Sequence, residues 1–195
     1  DFNDKLLVGY TNSFGVAKLF TYQNLYQSEY IAGNNAQFPY INYKGALLMV
    51  SNYKEKSVKK TLTDTHYQYN NAVIHKQGLG FKGYEYIYTY DNIIGESTRT
   101  KYDVFHNGDI LETDNTTQNI TYEYNTNIKA NKIDRSVLNK IITVNKADNV
   151  TKTEELQYDS YLNIVNKKIS YNSEYATTDQ YEYTNIHENG KYILG

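Results

Sequence analysis

Residues 77–91 carry the clearest structural pattern in this chain. They read Gln77-Gly78-Leu79-Gly80-Phe81-Lys82-Gly83-Tyr84-Glu85-Tyr86-Ile87-Tyr88-Thr89-Tyr90-Asp91. After the glycines, every second residue is a tyrosine. Side chains two positions apart in an extended chain point to the same side, so these four tyrosines are predicted to line one face of a strand. Helical spacing would scatter them around the axis, and the pattern therefore favours a strand.

The composition favours thin sheets that use tyrosine in place of an aliphatic core. The 195 residues include 23 Tyr and 6 Phe but no Trp and no Cys. A tyrosine ring packs as a hydrophobic group while its hydroxyl keeps water or a polar partner. The absence of cysteine excludes a disulfide framework and a cysteine-ligated metal.

The charge pattern argues against two classes of partner. The net charge is −2 with the two signs interspersed, so the sequence offers no basic surface for nucleic acid. No apolar run approaches the roughly 20 residues of a membrane span. We therefore expect neither nucleic-acid binding nor a membrane-spanning helix.

Turn signals at intervals of roughly 8–12 residues predict the fold class. They indicate an all-β protein of consecutive antiparallel β-hairpins that form one continuous curved sheet. The first predicted turn is Asn12–Gly15, where Gly15 supplies a positive φ. Further turns are predicted at residues 54–57, 70–71, 92–95 and 106–108.

The predicted strands fill the intervals between these turns. They cover residues 46–53, 58–69, 96–105, 109–113, 118–124, 132–144, 150–158, 164–171 and 176–183. A helical turn is predicted near residues 23–30, and residues 136–140 fit either a short helix or the strand that we favour. Because no Gly/Ser- or Pro-rich linker divides the chain, residues 1–195 are predicted to be one region. Its leading part, 1–76, is irregular, and residues 77–195 form regular hairpins.

A short signature recurs in which a tyrosine near a strand end precedes Asp or Asn. It occurs at Tyr90-Asp91, Tyr102-Asp103, Tyr122-Glu123-Tyr124-Asn125, Tyr158-Asp159 and Tyr181-Glu182-Tyr183-Thr184-Asn185. The tyrosine closes the strand by packing on its neighbour, and Asp or Asn opens the turn by bonding to the downstream backbone. One hairpin cannot bury its own face, so such units must stack. The alternative is that a chain with 23 tyrosines forms Tyr-Asp pairs by chance.

This signature resembles the YD repeat of Rhs-type proteins, and the order of landmarks resembles the shell region of insecticidal toxin-complex B components. The residues that carry the resemblance are Leu7-Val8-Gly9-Tyr10-Thr11-Asn12-Ser13-Phe14-Gly15, Tyr22, Met49-Val50-Ser51, Tyr67-Gln68-Tyr69, His75-Lys76-Gln77-Gly78-Leu79-Gly80-Phe81 and Lys191-Tyr192-Ile193-Leu194-Gly195. The last of these stretches, residues 191–195, is similar to the family's Trp-Leu-Leu-Gly, with Tyr192 in the place of Trp. The stretch at residues 75–81 is similar to the family's Gly-Phe-Leu-Gly-Phe element, whose first aromatic residue is absent here.

The resemblance implies a strip of β-hairpins that spirals into a hollow shell around a C-terminal toxic polypeptide. Since proteins of that family are far longer, this chain is predicted to be a fragment of such a shell, secreted or at a bacterial cell surface. Its partners would be the rest of the same polypeptide and the enclosed effector. The edge strands of an excised strip could also pair with a second copy.

No catalytic, cofactor-binding or metal-binding residue is predicted. The four histidines, His66, His75, His106 and His187, are far apart, and Glu154-Glu155 and Asp109 with Glu112 fit solvated strand-end charges better than a glycosidase pair. The glycines at 78, 80 and 83 precede a strand, which does not fit a dinucleotide-binding loop.

The residues singled out are therefore structural, and one of their patterns allows a second interpretation. They are Gly15, Gly78, Gly80, Phe81, Gly83, Tyr84, Tyr86, Tyr88, Tyr90, Asp91, Tyr102, Asp103, Tyr122, Tyr124, Tyr158, Asp159, Tyr181 and Tyr183. The four tyrosines of residues 84–90 are predicted to hold adjacent hairpins together through cross-strand aromatic pairs. Alternatively, they form a platform on which sugar rings stack, as in a surface-exposed carbohydrate-binding β module.

Overall fold

The computed structural model describes residues 6–27, 29–130, 133–183, 186–188 and 191–193. The chain is all-β, and its strands form antiparallel hairpins in chain order, as the turn spacing predicts. The strands are β1 (Gly9–Thr11), β2 (Ala17–Asn24), β3 (Tyr40–Asn42), β4 (Leu48–Lys56), β5 (Thr61–His75), β6 (Gly80–Asp91), β7 (Glu96–Tyr102), β8 (Ile110–Asn115), β9 (Gln118–Ala130), β10 (Ile133–Asn145), β11 (Thr151–Tyr158), β12 (Ile164–Tyr171), β13 (Tyr175–Gln180), β14 (Ile186–Glu188) and β15 (Lys191–Ile193). No helix in these described ranges is long and apolar enough to cross a membrane.

The chain divides into two compact units, residues 1–116 and 117–195. In the first unit, β1, β2 and β4 to β8 are neighbours in that order, and β3 pairs with β5. In the second unit, β9 to β13 follow chain order, and β14 pairs with β15. The prediction that residues 1–195 form one hairpin region, which becomes regular after residue 76, stays a prediction.

Strand β10 decides between the two interpretations of residues 136–140. These residues lie inside β10, which pairs with β9 on one side and with β11 on the other. The branched side chains of Ile141, Ile142 and Val144 favour an extended backbone. The interpretation of this segment as a strand is therefore confirmed.

The first unit has a small aliphatic core. Leu25, Met49 and Ala72 form it, and each is at most 7% exposed. Leu25 lies on a 3-10 turn, Leu25–Gln27, which confirms the helical turn predicted near residues 23–30. Its backbone N–H donates to Leu47 O over 2.8 Å, which ties the turn to the sheet. Leu47 and four tyrosine rings pack around this core; the tyrosines are Tyr30, Tyr43, Tyr69 and Tyr84.

The predicted turn at Asn12–Gly15 joins β1 to β2. The Asn12 side-chain oxygen accepts from the backbone N–H groups of Phe14 and Val16, each over 3.0 Å. Gly15 has a φ of 74°, which a glycine adopts at no steric cost. The predicted turn at residues 92–95 is also confirmed, because β6 ends at Asp91 and β7 begins at Glu96.

Asn12→Ala is expected to lower the free energy of unfolding by about 1 kcal/mol, since it removes both side-chain bonds of this turn. Urea denaturation followed by circular dichroism measures the change. Ser13→Ala, a substitution at an exposed position of the same turn, is the control and should alter stability by less than about 0.5 kcal/mol. Equal effects of the two substitutions would show that the Asn12 bonds do not stabilise the hairpin.

Two predicted strand ends near turns are wrong. β4 extends to Lys56, so the turn after it comprises residues 57–60 and is closed by a bond from Ser57 N to Lys60 O of 2.9 Å. β7 ends at Tyr102, three residues before the predicted end, because the backbone oxygen of Asp103 accepts from Gly108 N over 2.8 Å. The connection around residues 106–108 is therefore longer than a two-residue hairpin turn. It contains Val104, which is only 1% exposed.

Candidate functional site

The structure divides the tyrosine ladder between the two faces of the sheet. Tyr69 pairs directly with Ile87 across β5 and β6, so its ring lies on the face opposite to Tyr86 and Tyr88. The Tyr84 ring nevertheless lies 4.6 Å from the Tyr69 ring, centroid to centroid. Tyr86 and Tyr88 stack on each other at 6.4 Å. The prediction that all four tyrosines share one face is therefore wrong, because Tyr84 lies on the opposite face to these two.

The change of face occurs at Asn71 in β5. Asn70 pairs with Tyr86, and Ala72 pairs with Tyr84, so Asn71 lies between the two parts of the ladder. It has a φ of 51°, a left-handed conformation that asparagine tolerates better than most residues. The predicted turn at residues 70–71 is wrong, because β5 continues to His75. The turn-forming property of Asn71 instead reverses the strand's faces.

A cluster of polar side chains surrounds Asn71, which is only 4% exposed. Its amide nitrogen donates to Asn35 Oδ1 over 3.0 Å and to Glu85 Oε2, and its amide oxygen accepts from Asn42. Asn35 in turn donates to Glu85 Oε2 over 3.2 Å. We call Asn35, Asn42, Asn71 and Glu85 the asparagine cluster. It fastens the segment before β3 to strands β5 and β6.

Tyr86 and Tyr88 lie among charged residues of the neighbouring strand β7. Lys101 Nζ is 5.6 Å from the centre of the Tyr86 ring and 3.9 Å from Glu85 Oε1. Tyr88 pairs directly with Arg99, whose guanidinium lies 2.8 Å from Glu112. Tyr90, at the end of the ladder, is 45% exposed. These contacts favour cross-strand packing over a free stacking platform for Tyr86 and Tyr88.

The glycines before the ladder shape the β5–β6 connection. Gly78 lies in the turn at residues 76–79 and has a φ of 103°. Gly83, with a φ of 108°, lies at a bulge where the register with β5 shifts between Val73 and Ile74. Phe81, between them, is 47% exposed and meets the Tyr84 ring edge-on at 5.4 Å. Of the three glycines, only Gly78 therefore lies in the turn itself, because Gly80 and Gly83 belong to β6.

Three of the five Tyr-Asp signatures end in an aspartate that organises a turn. Asp91 Oδ1 accepts from Ile93 N over 2.7 Å, and Asp159 Oδ1 accepts from Tyr161 N over 2.8 Å. The Asp103 carboxylate bonds to His106 Nδ1 at 2.8 Å, and the backbone oxygen of Asp103 accepts the N–H groups of His106 and Gly108. Desolvation is the largest single influence on the Asp159 carboxyl and raises its pKa. The hydrogen bonds that the carboxylate accepts together outweigh it, so the pKa lies below its ordinary value.

The other two signatures differ. Tyr122 and Tyr124 lie inside β9, whose pairing with β10 continues past Asn125. The prediction that a turn follows these two tyrosines is therefore wrong. Tyr181 and Tyr183 follow the end of β13 and are 42% and 38% exposed. The continuation of this signature at residues 184–185 lies outside the described residues, as do residues 194–195 of the predicted C-terminal landmark.

An aromatic groove lies on the Tyr69 face of the first unit. It has a volume of about 470 Å³ and opens to solvent. The lining residues are Tyr10, Lys18, Phe20, Val50, Tyr53 and Tyr67. The Phe20 and Tyr53 rings pair across β2 and β4, with centroids 5.3 Å apart and planes at 33°. The sequence pattern did not reveal this groove, because it depends on the register between strands distant in sequence.

A salt bridge lies at the edge of this aromatic groove. Lys18 Nζ is 2.8 Å from Glu55 Oε1, and the Tyr53 hydroxyl donates to the same oxygen. The hydrogen bonds with Glu55 and Tyr53 raise the pKa of Lys18, and the bond from Lys18 lowers the pKa of Glu55. Both groups are therefore charged at neutral pH.

The carboxylates and histidines that the sequence analysis weighed as catalytic or metal-binding candidates are dispersed over the structure. Glu154 bonds to Lys152 at 2.8 Å and to Lys167 at 2.9 Å, and Glu112 pairs with Arg99. Within the part of the chain that the structure describes, no three His, Asp or Glu side chains are grouped so as to hold a metal ion. The side chain of His187 lies outside that part. The chain matches no protein-family model and none of the curated proteins with which it was compared.

The two tyrosines that face the core predict a response to alkaline pH. Burial raises the pKa of Tyr69 and of Tyr84 to about 12, from an ordinary value of 10. Between pH 10 and 12 the unfolded chain has lost these protons while the folded chain retains them, so stability is expected to fall as the pH rises through this range. Below pH 10 these two groups cause no such loss.

Urea denaturation at several alkaline pH values measures this dependence. Tyr69→Phe with Tyr84→Phe should make the decline above pH 10 shallower, whatever the stability of the variant at neutral pH. Tyr90→Phe, at a position that is 45% exposed, is the control and should leave the slope unchanged. An unchanged slope in the double variant would contradict the prediction.

Proposed function

We propose that this chain is a non-enzymatic structural segment of a shell similar to those of Rhs and toxin-complex proteins. In such a shell, a strip of β-hairpins encloses a C-terminal toxic polypeptide and helps to export it. The observation that carries the proposal is the Tyr-Asp hairpin: Asp91, Asp103 and Asp159 each follow a tyrosine at or next to a strand end, and their side chains bond to the turn that follows. An aspartate-bonded turn that recurs along the chain fits a strip built from successive hairpins better than it fits a single ligand site.

Tyrosine hydroxyls supply a second argument for a thin structural sheet. Tyr69 donates to Val50 O over 2.8 Å, and Tyr158 donates to Leu138 O over 2.6 Å. Each bond joins a strand to the backbone of its neighbour, so the tyrosines replace part of the stabilisation that a thick core would give. A wall one sheet thick needs this kind of support.

Large exposed hydrophobic side chains suggest surfaces for the proposed partners. The most exposed are Val58 at 94%, Phe14 at 89%, Tyr26 at 83% and Phe38 at 77%. In a complete shell, such residues would contact the rest of the polypeptide or the enclosed effector. In an isolated strip, these exposed side chains favour self-association. The complete shell would be secreted or would lie at a bacterial cell surface.

Limited proteolysis of the complete polypeptide that contains this chain tests the proposal. We expect a segment after the hairpins to resist protease in the intact protein and to be digested when it is expressed alone. Asp91→Ala with Asp159→Ala removes two turn devices and should increase digestion of that segment. Equal digestion in the two contexts, or a natural polypeptide that ends near residue 195, would contradict enclosure.

A carbohydrate-binding β module is the second candidate function. The observation that favours it is the aromatic groove beside the Lys18–Glu55 pair. This groove lies on the face opposite to Tyr86 and Tyr88. The candidate sugar site is therefore the groove on strands β1, β2, β4 and β5, and not the tyrosine ladder of residues 84–90.

A further inference from the structure

We infer that the aromatic groove binds a neutral saccharide, whose ring stacks on Phe20 and Tyr67 and whose hydroxyls bond to Lys18 and Glu55. The inference rests on the second candidate function and is independent of the shell proposal. Four observations support it: the arrangement of the rings, the position of the ion pair, the charge of the groove and its size.

Strand register places the rings and the ion pair on one face. Phe20 pairs directly with Tyr53, and Lys18 pairs directly with Glu55, each two residues away from the ring in its own strand. Directly paired residues share a face, and residues two apart along a strand do so as well. Tyr10 pairs with Lys18 from β1, which adds a ring that is 47% exposed. The groove thus combines flat apolar surfaces with a polar edge.

The polar edge is held in place before any ligand arrives. Glu55 is fixed by Lys18 at 2.8 Å and by the Tyr53 hydroxyl. An ammonium has three donor hydrogens and a carboxylate has two acceptor oxygens, so this group of three retains donors and acceptors for a ligand. Groups that are ordered beforehand cost less entropy on binding. The edge is therefore suited to ligands that need both donors and acceptors.

The charge of the groove selects among ligand classes. Lys18 and Glu55 neutralise each other, so a phosphate or nucleic-acid ligand would find no uncompensated cation. A wholly apolar ligand would desolvate the ion pair without giving it new hydrogen bonds. A sugar satisfies both surfaces, because each hydroxyl donates and accepts while the C–H face of the ring packs on an aromatic side chain.

The size of the groove also fits a small ligand. Its volume of about 470 Å³ lies in the range of roughly 300–1,000 Å³ that is typical of ligand pockets. The groove is shallow and largely open to solvent, so a residue within an oligosaccharide chain could lie on it as well as a free sugar. Neutral oligosaccharides are therefore the appropriate probes.

The test uses the 195-residue chain on a microarray of cello-, chito-, malto- and manno-oligosaccharides, with heparin as an anionic comparison. We expect a neutral oligosaccharide to bind, and titration calorimetry with that sugar then gives its affinity. Phe20→Ala and Tyr67→Ala should each weaken binding by about tenfold or more. Glu55→Gln, which keeps the rings in place, should also weaken it, whereas Phe20→Tyr should retain it.

Tyr86→Ala and Tyr88→Ala are the matched controls, because they remove tyrosine rings from the opposite face of the sheet. Circular dichroism confirms that each variant is folded. Binding that is lost in the groove variants and kept in these controls supports the inference. Binding lost only in the controls, preference for heparin, or no neutral sugar bound by the folded chain would overturn it. None of these outcomes bears on the protease test of the shell.

Discussion

Asn71→Ala is expected to lower the free energy of unfolding by about 4 kcal/mol. Asn71 is only 4% exposed and bonds to Asn35, Asn42 and Glu85. Its removal breaks one hydrogen bond to each of these partners, of which Asn42 and Glu85 are half-buried and Asn35 is exposed, and each such bond contributes about 1 kcal/mol. The φ of 51° adds about 1 kcal/mol of backbone strain, because alanine lacks the short polar side chain that lets asparagine adopt the left-handed region.

Two further variants separate these contributions. Asn71→Gly removes the same side chain but accepts the positive φ, so it should be less destabilising than Asn71→Ala by about 1 kcal/mol. Asn149 has a φ of 56° and is exposed, so Asn149→Ala should cost only about 1 kcal/mol of strain. Urea denaturation measures all three variants. If Asn71→Ala costs no more than Asn149→Ala, the asparagine cluster does not stabilise the fold.

The close approach of the chain to Asn71 explains why this cluster is sensitive. A Cβ added at Gly33 would lie 2.2 Å from Asn71 Oδ1, so only glycine fits there without a shift. Asn71 N donates to Ile31 O over 2.9 Å, which holds the same segment from its backbone. The segment between the 3-10 turn and β3 is therefore fastened to β5 by side-chain and backbone bonds at one residue.

The hairpins could be predicted because their signals are local. Asn12 and Gly15 specify a turn through their own bonds and φ value, and Asp91 and Asp159 open turns by bonding two residues downstream. Strand β12 has the bounds predicted for it, since alternation and flanking turn residues both mark its ends. Such features depend on a few consecutive residues, which the sequence displays directly.

The face reversal and the aromatic groove depend on residues that are distant in sequence. Asn71 has the properties of a turn residue, and only its pairing opposite β6 keeps it inside a strand. The Phe20–Tyr53 pair requires the register of β2 on β4, which shifts between Thr21 and Tyr22. A shift of one residue moves side chains to the other face, so alternation alone could not locate the groove.

Leu25→Ala is expected to lower the free energy of unfolding by about 3 kcal/mol. Leu25 is 1% exposed and packs with Met49 and Ala72, which are also buried. Truncation removes buried methyl groups and leaves a cavity that neighbouring rings fill only in part. Thermal and urea denaturation measure the loss, and hydrogen exchange should show faster opening of β4 and β5, which contain Met49 and Ala72.

Leu62→Ala is the matched control, because Leu62 lies on β5 but is 40% exposed. It should cost less than about 1 kcal/mol. The comparison distinguishes two accounts of a tyrosine-rich sheet. If cross-strand tyrosine pairs supply the stability evenly, Leu25→Ala and Leu62→Ala will have similar effects. If the small core around the 3-10 turn holds the first unit together, Leu25→Ala will be far more damaging. We expect this result, because Leu25 is 1% exposed and packs directly with Met49 and Ala72, whereas Leu62 is 40% exposed.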